Sequence, residues 1–181
     1  KHYFKSYTNW TLIESIKDLN SNVLERLIFH KKHTNGSSIY FVADAYKGDK
    51  MKPCLVDLFN SIAGKQSDFI TVDNQKIGIS SQADLLIFNG HNGLMDTSVD
   101  YVESKDEVIR EVSVIGCVSH SYFKPYLKRA KGYPLLMTTN LMAPEAYVME
   151  AVIESWLDLK RGDQIRVKVG QAYHKFQKCG V

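Results

Sequence analysis

Two side chains with complementary chemistry stand at matching points of the chain. His91 lies in Gly90-His91-Asn92-Gly93, directly after the apolar run Ala83-Asp84-Leu85-Leu86-Ile87-Phe88, and Cys117 ends the run Val112-Ser113-Val114-Ile115-Gly116. An imidazole beside a thiol can take its proton and later return one to a leaving amine, which is the division of labour in nucleophilic catalysis by cysteine. Taken singly, neither residue says much: a cysteine at a strand end is commonly a small buried apolar group, and a histidine in a glycine-rich turn commonly bonds within that turn. What raises the pair is its placement after two equivalent runs. Val118-Ser119-His120-Ser121 after the cysteine is polar and leads into a helical pattern, so the thiol is expected near a helix N-terminus, where a thiolate is stabilised.

The elements expected to position these residues alternate in type. Between Trp10 and Phe29, apolar residues at helical spacing (Leu12, Ile13, Ile16, Leu19, Val23, Leu24, Leu27, Ile28) predict two helices broken near 20–22, so residues 1–36 are read as an N-terminal helical segment. Ser38 to Ala43 is β-branched and aromatic and predicts the first core strand. A helix is expected from Pro53 to Ala63 with Gly64 at its cap, then a short strand at Phe69–Val72 before the turn Asp73-Asn74. The two apolar runs that precede His91 and Cys117 read as strands covered on both faces. A helix from Tyr122 to Arg129, a strand from Pro134 to Thr138 and a long helix from Ala143 to Leu159 complete the pattern. Strands separated by helices predict a single α/β domain over 1–181, with residues 37–181 forming a mostly parallel sheet with helices on both faces. In such sheets the chemistry gathers at the carboxyl ends of the strands, where His91 and Cys117 are expected.

Ala83 to Gly93 and Val112 to Ser119 resemble the two catalytic segments of the caspase-like cysteine peptidases, the group of caspases, legumains, clostripains and gingipains. Asn92 stands where that family usually has glycine, and Ser119-His120 where it usually has Ser-Gly. The resemblance implies a caspase-like fold, with Cys117 as nucleophile and His91 as general acid/base in a dyad that cleaves peptide bonds through an acyl-enzyme. It further implies an oxyanion site at the backbone N–H groups of Cys117 and of Asn92 or Gly93, and a substrate pocket at Asp44 and Ile115. Asp44 would favour a basic side chain; read from the sequence alone, it is equally a turn-forming carboxylate. The implied partner is a peptide or protein substrate, with no metal and no cofactor required. The alternative is a binding or scaffolding domain of the same fold with the chemistry lost.

Composition excludes several other classes. Twenty-three Lys plus Arg against twenty Asp plus Glu leave a net charge of +3, too small for a nucleic-acid footprint. The longest apolar runs are far shorter than the about 20 residues of a membrane helix. No signal-peptide pattern opens the sequence, and localisation and oligomeric state stay open. Three cysteines without a Cys-x-x-Cys pair point away from redox and zinc motifs. His30 and His33, flanked by lysines, read as a solvated helix end, and dinucleotide and P-loop glycine patterns are absent.

Overall fold

The structure is a computed structural model describing residues 1–179. The chain divides into two compact units, 1–55 and 56–181, where the sequence pattern predicts one domain.

In the first unit the short helix α1 (His2–Tyr7) precedes an antiparallel meander of β1 (Thr11–Lys17), β2 (Val23–Lys32) and β3 (Ser38–Tyr46), in the order β1-β2-β3. The expected helices between 10 and 29 are therefore the strands β1 and β2 joined by a loop at 18–22. Leu12 and Ile16 are four apart, a spacing that suits a helix face and also one face of a strand, whose period is two. A bulge between Leu12 and Glu14 breaks the strict alternation that would have marked the strand, and leaves Ile13 outward. The break near 20–22 is a tight loop: Asp18 has φ +48°, and Asn20 Oδ1 accepts from the backbone N–H of Asn22 and Val23, each at 2.8 Å. Phe4, Phe29 and Phe41 pack mutually with ring centroids 5.0–5.7 Å apart and form the aromatic centre of this unit.

Helix α2 (Met51–Ile62) carries the chain into the second unit, where β4 (Ser67–Val72) and β5 (Gln75–Ser80) form a hairpin. Its turn residues Asp73 and Asn74 have φ of +48° and +62°, the left-handed pair that a two-residue hairpin turn requires. Then follow β6 (Leu85–Asn89), β7 (Arg110–Ile115), helix α3 (Ser119–Ala130), β8 (Gly132–Met137) and helices α4 (Ala146–Leu157) and α5 (Asp163–Gln177). β6, β7 and β8 form a parallel sheet with β7 central.

Val112, Ser113, Val114 and Ile115 are all fully buried on that central strand, so both of its faces are covered. Phe123 of α3 joins Phe59 of α2 and Phe88 of β6 in the core.

The expected mostly parallel, caspase-like sheet is therefore corrected. Among the described residues there are three small sheets, two of them antiparallel and one, three-stranded, parallel. The strand beginning at Ser38, expected beside the other three, pairs instead with β2, because strands on both sides of a short turn can pair without a crossover.

Candidate functional site

Strand register brings the backbone segments that carry His91 and Cys117 together. Parallel pairing of β6 and β7 runs from Leu85↔Glu111 to Asn89↔Ile115, a constant offset of twenty-six residues, and the same offset separates His91 from Cys117. The ladder continues past the strand ends, since the Gly90 N–H donates to the Ile115 carbonyl at 3.0 Å. Parallel neighbours stand about 4.8 Å apart, so the chain brings the histidine and the cysteine abreast at one edge of the sheet. The two backbones approach closely here: a Cβ built on Gly116 would lie 2.7 Å from the Gly90 carbonyl oxygen.

Asn92 ties the two loops together. It is fully buried, its Nδ2 donates to the Cys117 carbonyl at 2.7 Å, and its Oδ1 accepts from the Leu94 N–H at 3.2 Å. On the other side, Ser119, also fully buried, donates from Oγ to the Val114 carbonyl at 2.9 Å and accepts from the Thr138 N–H at 2.8 Å, while Thr138 Oγ1 donates to the Gly116 carbonyl. Between them the chain turns through Val118, whose φ of +50° is a left-handed conformation that β-branched residues rarely adopt. Val118 is held there by its N–H donating to Asn140 at 3.0 Å. The backbone thus reverses immediately after Cys117 and enters α3, setting the thiol two residues before the helix.

The thiol and the imidazole each have a local partner. Cys117 Sγ lies 3.3 Å from the Met142 carbonyl, to which it donates, and 3.5 Å from the Met142 N–H, from which it accepts. The His91 ring is bonded through Nε2 to the Asp96 carboxylate. Both groups are at the surface edge: His91 is exposed and Cys117 half-buried. The segment that meets the thiol also meets β6, since Asn89 Nδ2 donates to the Pro144 carbonyl at 3.3 Å, and it is fixed behind by the Ala143 N–H donating to the Tyr173 hydroxyl at 3.0 Å. Residues 140–144 therefore roof the ends of both strands.

Of the expected oxyanion donors, Asn92 and Gly93 are buried, and Asn92 lies beside Cys117. Among the described residues, the backbone N–H groups of Asn92, Gly93 and Cys117 have no hydrogen-bond partner.

The expected pocket residues are placed differently. Asp44 is the cross-strand partner of Arg26 in the first unit and accepts two bonds from its guanidinium, both at 2.6 Å, which leaves the carboxylate committed to an ion pair on β3. Ile115 is fully buried at the end of β7 and serves the core. Asp96 and the roofing segment escaped the sequence reading. The only hint of Asp96 was an acidic residue five positions after the histidine, and nothing local marked residues 140–144. Among the described residues no cluster of three or more His, Cys, Asp or Glu is placed to hold a metal ion, and no helix is long and apolar enough to cross a membrane.

Comparison with family models, with curated proteins and with solved structures finds no match to this chain.

Proposed function

We propose that the chain is a cysteine peptidase in which Cys117 is the nucleophile and His91 the general acid/base. The observation that carries this reading is the shared offset of twenty-six, by which the segments bearing the two residues leave neighbouring parallel strands at the same, carboxyl end. The open N–H groups of Cys117, Asn92 and Gly93 support it, being donors of the kind that hold a developing oxyanion. In the proposed cycle the thiol exchanges the Met142 carbonyl for the imidazole and loses its proton to it. Sulfur then attacks the peptide carbonyl, and the imidazolium protonates the leaving amine as the C–N bond breaks. Water, deprotonated by His91, finally releases the acid and restores the thiol.

One observation favours the second reading, a binding domain without chemistry: thiol and imidazole are each bonded to something other than the other. A peptide-library cleavage assay on wild type, Cys117→Ala and His91→Ala separates the two, with circular dichroism as the folding control. Each substitution is expected to abolish cleavage, and the double variant to lose no more than either single one. Undiminished cleavage by Cys117→Ala would overturn the peptidase reading, and a wild type inert toward every library would favour the binding domain.

A further inference from the structure

We infer that Asp96 is a positioning residue for His91, holding the imidazole as its Nε2–H tautomer so that Nδ1 is the nitrogen that exchanges protons with Cys117; the inference rests on the dyad reading. The chemistry of the pair leads directly there. An ionised carboxylate only accepts hydrogen bonds, so the bond between His91 Nε2 and Asp96 Oδ2 requires the proton to be on Nε2. A neutral imidazole with a proton on Nε2 keeps its lone pair on Nδ1. Among the described residues the ring has no second hydrogen-bond partner, so Nδ1 carries none.

The contact is built into the loop. Residues 93–95 form a single 3₁₀ turn, capped by the Asn92 Oδ1 bond to the Leu94 N–H. The Met95 N–H donates to Asn92 at 3.0 Å, and the Asp96 and Thr97 N–H groups both donate to the Gly93 carbonyl, at 3.1 and 2.9 Å. This turn carries the chain back on itself and sets Asp96 beside His91, five residues earlier. Asn92, which caps the turn, also holds the Cys117 carbonyl, so one buried side chain links the carboxylate's loop to the nucleophile's turn. As Cys117 forms its bond to the substrate carbon, its proton moves to Nδ1, and Asp96 then faces an imidazolium through Nε2–H. On breakdown the Nδ1 proton passes to the amine and the C–N bond cleaves, with Asp96 itself unprotonated throughout.

Both partners are well exposed, His91 at 57% and Asp96 at 68% of the side chain, so their pairing does little for folding stability and its loss is read in catalysis alone. The test compares wild type, Asp96→Ala and Asp96→Glu by steady-state hydrolysis, by the rate of Cys117 carboxamidomethylation with iodoacetamide, by thermal unfolding and by ¹⁵N-edited NMR of the histidine rings. Asp96→Ala is expected to lower kcat by about tenfold with KM within about twofold, a fraction of what a whole general base supplies. It is expected to slow the alkylation in parallel, to shift the His91 ring ¹⁵N signals away from those of the Nε2–H tautomer and to leave the unfolding midpoint in place, with Asp96→Glu recovering rate and resonance. Wild-type kcat and alkylation in Asp96→Ala, or a loss with the His91 ring ¹⁵N signals unchanged, overturns the inference. The dyad is tested apart from it: if His91→Ala abolishes hydrolysis while Asp96→Ala keeps the wild-type kcat, only the role of Asp96 falls.

Discussion

Gly116→Ala puts the spacing of the two catalytic loops to a direct test. The new Cβ would lie 2.7 Å from the Gly90 carbonyl oxygen, where ordinary contacts begin at 3.4 Å, so the two backbones must separate by about 0.7 Å. Neither side is a flexible side-chain end: Gly90 is anchored by its bond to Ile115, and Gly116 by its carbonyl bond from Thr138. Overpacking of this kind costs about 1–3 kcal/mol, and at about 2 kcal/mol the unfolding midpoint of a chain this long drops by roughly 4–8 °C. The effect on activity is expected to be larger. His91 follows Gly90 directly and Cys117 follows Gly116 directly, so the whole displacement falls between base and nucleophile. A misplacement near 1 Å can cost about 100-fold, and a loss of at least about tenfold in kcat/KM is expected. Gly90→Ala is the matched control, because its Cβ would meet only the Phe88 ring, at 3.9 Å. It is expected to retain activity and to be neutral or slightly stabilising, by up to about 1 kcal/mol through the unfolded chain. Hydrolysis kinetics and urea denaturation of both variants decide the matter. Wild-type kcat/KM in Gly116→Ala, or equal damage from both glycine substitutions, would refute the reasoning from loop spacing.

Asn92→Ala removes the bonds to the Cys117 carbonyl and from the Leu94 N–H, at about 1 kcal/mol each, so a loss of about 2 kcal/mol is expected in urea unfolding, with faster amide exchange at Leu94. Remote from the site, the Arg110 guanidinium holds the Asp106 carboxyl below its ordinary value of 3.8, first through their hydrogen bonds. Since the folded-state pKa lies below the unfolded one, the pair's stabilisation is present above the unfolded value and is lost as pH falls through the folded one. Asp106→Asn is therefore expected to flatten the acid limb of a plot of urea midpoint against pH, and an unaltered limb would show that the pair does not contribute to it.

Where the chain shows a continuous apolar run closed by Asn, Gly or Cys, the local pattern and the structure agree. Leu85–Asn89 and Arg110–Ile115 are parallel strands, the second of them largely buried, with His91 and Cys117 just beyond them. α2 and α4 likewise follow from apolar residues at helical spacing, because that signal is contained in a few turns of chain. Residues 10–29 are strands where the pattern predicts helices because four-residue spacing satisfies both periods, and only pairing across the sheet, with the bulge in β1, shows which is realised. Asp44 shows the same limit: it lies inside β3 and not at its end, and its carboxylate is committed to Arg26, a partner eighteen residues earlier that only strand register brings opposite.

The sequence by itself determines the two chemical groups, the strands that carry them and, through their shared offset, the possibility that they stand abreast. Tertiary structure alone decides that β6 pairs with β7 in that register, that Asn92 clasps the Cys117 turn, that residues 140–144 roof the strand ends and that Asp96 returns to His91. Burial of an apolar face is written into a short window of residues. Hydrogen-bond partners are not, because polar groups from distant segments meet only after the buried faces have fixed where each backbone runs.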